Sequence, residues 1–176
     1  MKKKTIFFIF FFFIFIPNKS SLADNSISFI DVDYIYSNSI IGKKINAKLN
    51  KETTKINDEV LKYQEEMQDE KDKLISQKKI ISEEEFKKKT INLEKKIQKY
   101  NAIISKKNKA FVKFKNETKS LFLKKLMGIV GEYANANSIR LILKKENIII
   151  GMNNLDISDN ILKLVNEKIN DINLQW

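Results

Sequence analysis

Ile81-Ser82-Glu83-Glu84-Glu85-Phe86 is the stretch on which the fold turns. Ser82 with Glu85 three residues later has the spacing of a capping box, in which each side chain bonds the other residue's free backbone N–H. Ile81 before the cap and Phe86 four residues after it can close over the turn as a hydrophobic staple. Three carboxylates in the first turn face the positive end of the helix dipole. S-x-x-E alone recurs by chance, but cap, staple and acidic first turn coincide here. The stretch predicts a helix starting within two residues of Ser82.

Both flanks carry helical periodicity. Upstream, Ile45, Leu49, Ile56, Val60, Tyr63, Met67 and Leu74 recur mostly at steps of three, four or seven. Downstream, Phe86, Leu93, Ile97, Tyr100, Ile104, Phe111, Phe114, Phe122, Leu126, Ile129 and Tyr133 do much the same. No proline interrupts either run, and after Gly42 the next glycine is Gly128. A heptad-like seam of this length, with charges at the other positions, predicts a coiled coil. At about 1.5 Å rise per residue, arms of about 40 and 50 residues reach roughly 60 and 75 Å. The chain is therefore expected to fold back near residues 78–83, making an antiparallel hairpin over 45–127.

The chain opens with Met1-Lys2-Lys3-Lys4-Thr5, then an unbroken apolar run from Ile6 to Ile16, then Pro17 and a polar stretch ending Ser21-Leu22-Ala23. That is the layout of a secretory signal peptide with small residues before the cleavage point. The run is too short to span a bilayer core of about 30 Å. Cleavage after Ala23 is expected, which puts the working protein outside the cytoplasm.

Charge is unevenly placed. The whole chain carries +11, and residues 1–23 hold four of the lysines, leaving +7. Gly42–Ile81 has 10 lysines against 8 acids, a net of +2, whereas Ser82–Met127 has 14 against 5, a net of +9. Lysines keep exposed helices soluble, but solubility alone does not explain why the first arm is nearly balanced. The second arm is the basic element, suited to acidic partners.

Enzyme chemistry finds no footing in the sequence. There is no cysteine for a disulfide or thiolate and no histidine, the commonest general base and metal ligand. Acidic clusters such as Glu65-Glu66 and Asp69-Glu70 alternate with lysines, as on salt-bridged helix faces. No phosphate loop, dinucleotide fingerprint or nucleophile elbow occurs. No cofactor or metal is expected.

The ends of the chain supply a body. Residues 26–36 are rich in β-branched and aromatic residues, predicting a strand near 27–32, then a turn or short helix, then the long helix from about Ser39. Ile139–Leu143 and Ile148–Ile150 flank Lys144-Lys145-Glu146-Asn147, the pattern of a β-hairpin. Asp156-Ile157-Ser158-Asp159 caps a last amphipathic helix carrying Ile161, Leu162, Val165 and Ile169. The fold class is thus α+β, predominantly α: a long coiled-coil hairpin projecting from a small β body made of 24–44 and 128–176. Three short strands and one helix make a poor core with exposed edges, so oligomerisation is expected to complete it. The expected subunit contacts are Ile27, Phe29, Ile30, Leu141, Ile142, Ile148, Ile149 and Ile150.

With those residues placed, the chain resembles the Skp/OmpH family of periplasmic chaperones. Ile27-Ser28-Phe29-Ile30-Asp31-Val32-Asp33-Tyr34-Ile35 with Ser39-Ile40-Ile41-Gly42-Lys43 is similar to the family's first strand and S-x-x-G-K helix opening. Leu74 to Lys89 resembles its arm-tip turn. Ile139–Leu143, Ile148–Gly151 and Leu155-Asp156-Ile157-Ser158-Asp159-Asn160-Ile161-Leu162 resemble its later strands and its D-I-T-x-x-[VI]-L helix opening. Ser158 stands where threonine is usual and Asn160 where an acid is frequent, neither of which disturbs capping.

The resemblance implies a homotrimer with a shared strand barrel and three arms around a cavity, acting as an ATP-independent holdase for unfolded outer-membrane proteins. Acidic lipids or lipopolysaccharide are further partners it allows, with no lipopolysaccharide-binding side chains transferable, and no nucleic acid. The client-binding candidates on the basic arm are Lys87, Lys88, Lys89, Lys95, Lys96, Lys99, Lys106, Lys107 and Lys113. Two rival readings use the same features: a coiled-coil scaffold of the cell envelope, and a nucleic-acid binder working through phosphate contacts. The signal peptide argues against the second.

Overall fold

A computed structural model describes residues 27–172; the expected signal peptide over 1–23 lies outside them. In order come β1 (Ile27–Ile30), α1 (Val32–Asn38), α2 (Ile40–Gln77), α3 (Glu83–Ala136), β2 (Leu141–Lys144), 3₁₀ turns at Lys145–Asn147 and Asn153–Leu155, and α4 (Ser158–Lys168). No helix among the described residues is long and apolar enough to cross a membrane.

The hairpin forms from helices of 38 and 54 residues. Ser82 is the N-cap of α3, its Oγ accepting the Glu85 N–H at 3.2 Å. The box is only half closed, because Glu85's carboxylate turns to Lys89 at 3.3 Å instead. Over the turn, the Lys78 ammonium lies 5.7 Å from the Phe86 ring centroid.

At the other end of α2, one residue joins two helices. Ser39 closes α1 through its N–H to the Ile35 carbonyl at 3.0 Å, and opens α2 by accepting the Gly42 N–H at 3.0 Å. The chain bends so tightly that a Cβ on Gly42 would lie 1.7 Å from the Tyr36 carbonyl oxygen. Only glycine fits there. The S-x-x-G-K spacing is thus a cap and a close approach. At the far end of α3, Ser138 takes a positive φ of 54°. This lets the Ile139 N–H reach back to the Ala134 carbonyl at 2.9 Å, a Schellman closure made without glycine.

Two expectations for the body need correction. The first strand stops at Ile30, because Asp31 already caps α1 by accepting the Tyr34 N–H at 2.8 Å. The β-hairpin over 139–150 does not form. Lys145–Asn147 is a 3₁₀ turn, and Ile148–Ile150 belong to no strand. Instead β2 pairs parallel with β1, in the register Ile27↔Leu141 to Ile30↔Lys144. The chain then crosses to the opposite edge of β1, where Asp156 bridges Phe29 and the Ile157 N–H bonds its carbonyl at 3.0 Å. Ile148–Ile150 are the crossing segment, and a chain that must reach the far edge of β1 cannot also turn back along β2.

The core is also larger than strands alone would provide. It joins Ile30 and Ile35 to Ile41 and Ile45 of α2, Phe122, Leu126, Ile129 and Val130 of α3, and Ile157, Ile161, Val165, Ile169 and Ile172 around α4. The bases of both long helices therefore belong to it. Burying each such aliphatic or aromatic side chain contributes about 1.5–3 kcal/mol.

Candidate functional site

The lysines of α3 fall into two sets once α2 is in place. Lys89, Lys96 and Lys107 flank the seam and reach across it. Lys89 Nζ donates to Gln77 at 3.0 Å, Lys96 pairs with Glu70, and Lys107 pairs with Glu59. The bond it donates to Glu70 holds the Lys96 ammonium's pKa above its usual value. These three brace the arm.

Lys87, Lys88, Lys95, Lys99 and Lys106 are exposed and make no ion pair among the described residues. Lys113 is also exposed and touches only Glu117, at 3.8 Å on its own helix. Lys88, Lys95, Lys99, Lys106 and Lys113 are spaced 7, 4, 7 and 7 residues apart, which sets them in one row along the helix. The row is roughly 38 Å long at about 1.5 Å per residue. Exposed aliphatics lie beside it: Ile91 is three residues on from Lys88 and four before Lys95, and Ile103 is four on from Lys99. The result is a strip of cations with apolar surface between them, turned away from the seam.

The expected subunit contacts also divide. Phe29 and Ile30 are buried within the chain, and Ile142 packs against its core. Ile148 is half-buried. Ile27 and Leu141 are about half exposed, while Ile149 and Ile150 are 99% and 90% exposed. Beside them stand Leu143 and Met152, also exposed and not singled out from the sequence. Leu141 and Leu143 alternate along β2, and that period of two was the available signal. The outer edge of β2 has no strand partner among the described residues.

A family model described as outer membrane protein (OmpH-like) matches residues 26–165. The chain belongs to the OmpH-like family. Among solved structures it is similar to a protein of Caulobacter crescentus CB15 described as an OmpH-like outer membrane chaperone, with a TM-score of 0.78 and 16% identity, covering 84% of this chain and 88% of that one. At that identity the likeness is one of fold. No curated protein matches the chain.

Within this OmpH-like fold, two polar clusters escaped sequence reasoning. Glu52 is buried on the seam side of α2, where Lys48 and Lys55 reach it at 3.0 and 3.1 Å. Their bonds, Lys48's foremost, hold its carboxyl below the usual carboxylate range. The second cluster ties the chain ends together. The Asp31 N–H donates to Ser158 Oγ at 2.8 Å, Ser158 donates its N–H to Asp156 at 3.0 Å, and Lys145 Nζ donates to the same carboxylate at 3.1 Å. Burial works to raise the Asp156 pKa, but the bonds from Ser158 and Lys145 outweigh it and the net is lowered. Among the described residues no group of His, Cys, Asp or Glu could hold a metal ion.

Proposed function

We propose that the exported chain is an ATP-independent periplasmic holdase that captures unfolded outer-membrane proteins on its arms. The observation that carries this reading is the row of exposed lysines on α3, none of them tied to α2, with Ile91 and Ile103 between them. A client with acidic character and exposed apolar strands meets both halves of that strip. Long-range attraction speeds the encounter, and lysine stems cover apolar client surface while their heads stay hydrated. Many weak contacts replace a single pocket. Release then follows when the client folds into its membrane.

In this reading 45–127 is the capture arm and 24–44 with 128–176 the assembly body. Exposed Ile27, Leu141, Ile149 and Ile150, with the open edge of β2, are what further copies cover. Three copies make a closed ring in which no edge is left free. Acidic lipids or lipopolysaccharide would use the same lysines. Family membership and fold support this reading.

The test is stopped-flow capture of an unfolded outer-membrane barrel without ATP, at low and high salt. Wild type is expected to keep the barrel soluble and to bind more slowly as salt screens the charge over about 8 Å at physiological strength. Changing Lys87, Lys88, Lys95, Lys99 and Lys106 to Gln should lower the on-rate and flatten the salt dependence. Helix content should hold, since Lys and Gln have similar propensities. Equal rates and slopes would leave the lysines as solubility devices and favour the scaffold reading.

A further inference from the structure

Halfway along the arm the seam changes character. Tyr63 of α2 and Tyr100 of α3 face each other across it. Beside the pair opens a slot of about 410 Å³, inside the range of roughly 300–1,000 Å³ seen for ligand sites. Its floor is apolar, formed by Val60, Met67, Ile97 and Ile104.

The rim is what sets this slot apart. The Tyr100 hydroxyl is used, donating to the Glu59 carbonyl at 2.9 Å. The Tyr63 hydroxyl and the Gln64 and Asn101 amides make no hydrogen bond among the described residues. Lys71 is the one charged side chain lining the slot, and it too has no ion pair. A smaller slot of about 270 Å³ toward the tip has two of its three rim lysines, Lys89 and Lys96, tied to Gln77 and Glu70, and only Lys73 left unpaired among the described residues. One opening has most of its rim charge engaged and no tyrosine beside it. The other offers an apolar floor, free donors and acceptors, and an uncompensated positive charge.

We infer that the mid-arm slot is a subsite for an aromatic side chain of an extended polypeptide that carries a carboxylate beside it. The inference rests on the proposed capture role and names the side chain that role selects. Tyrosine faces and edges favour a third ring in edge-to-face or offset contact. Each free amide offers two donors and an acceptor, which matches the N–H and C=O of an extended backbone. Lys71 supplies the complement to an adjacent acid. The floor lies recessed between two helices, so a side chain reaches it more readily than a flat surface does.

The probe is a fluorescein-labelled peptide of roughly nine residues with one Trp flanked by Asp in a Gly/Ser background, beside its twin with Ala for Trp. Anisotropy of the mature wild-type protein should show the Trp peptide bound about tenfold more tightly, the upper range for aromatic contacts. Tyr63→Leu should erase that preference. Lys71→Glu, which lies on an exposed face and leaves the seam untouched, should instead weaken the Asp-flanked Trp peptide about tenfold, and guards against misreading a folding defect. Equal binding of the two peptides by wild type, a Trp preference that survives Tyr63→Leu, or Trp-peptide binding unchanged by Lys71→Glu, overturns the slot. The same preparation is offered an unfolded outer-membrane barrel. Client kept soluble while the peptides bind alike overturns the slot and leaves the holdase standing. A Trp preference lost in Tyr63→Leu and Trp-peptide binding weakened by Lys71→Glu, while the barrel aggregates, supports the slot and refutes the holdase.

Discussion

The same two helices are held in two different ways along their length. At the base, α2 and α3 enter a core in which Ile45, Phe122 and Leu126 are fully buried and touched by α1 and α4 as well. Along the arm they have only each other. Ile56, Met67 and Phe114 are the deeply buried apolar residues there, and Leu93, Ile97 and Ile104 are half exposed. A residue with neighbours on every side loses them all at once, whereas a two-helix seam opens layer by layer. The body should therefore unfold cooperatively at the high end of the stability range and the arm breathe at the low end. A capture surface that must fit many clients gains from that difference.

The sharpest way to break the comparison is Phe122→Ala. Phe122 is completely buried and packs edge-on to Tyr36 with ring centroids 5.0 Å apart. Its loss should cost about 3–5 kcal/mol and lower the urea midpoint of the whole protein. A loss no larger than that of the half-exposed arm residue Ile97 on its change to Ala would mean that base and arm are one uniform seam. Gly42→Ala should come next. The methyl cannot occupy space 1.7 Å from a carbonyl oxygen, so α1 must swing away from α2, at a cost on the order of 1–3 kcal/mol for an overpacked site. Amide exchange should then quicken in α1 and around residues 40–45 while the tip is unchanged.

A smaller effect belongs to the polar knot of the body. The Asp156 pKa is lowered in the folded chain, so its contribution is present above the usual carboxylate value and is lost as pH falls through the folded one. Thermal melts should show the body weakening below about pH 4, and Asp156→Asn should flatten that acid limb. The arm's melting should hardly distinguish the two proteins, since the knot joins the start of α1, the start of α4 and Lys145.

What was legible in the sequence was local. The cap at Ser82, the cap at Ser39 and the heptad seam all depend on residues within about seven positions of each other, and each was found where the spacing put it. Parallel pairing of β1 with β2 joins residues more than a hundred positions apart, and nothing local distinguishes it from the hairpin that Lys144–Asn147 suggests. The lysines show the same limit. Lys95 and Lys96 are neighbours in sequence, yet only Lys96 meets Glu70, because the register of α2 decides which one faces it. Composition located the basic arm but not its division into braces and a free row.

The slightest expected change is at the tip, and it tests the comparison most directly. Ser82 Oγ satisfies the Glu85 N–H, and Glu85 does not return the bond. Ser82→Ala should cost on the order of 1 kcal/mol, as loss of an N-cap does. Because the box is half closed, the lower part of that range is expected. The helix start lies tens of ångströms from the core at about 1.5 Å per residue, with no packed layer able to carry the loss that far. Hydrogen exchange should therefore quicken at residues 82–86 and fade within a turn or two, leaving Phe122 and its neighbours as protected as before. Faster exchange spreading into α4 would show that arm and body form one cooperative unit, and the contrast between a rigid base and a yielding arm would have to be abandoned.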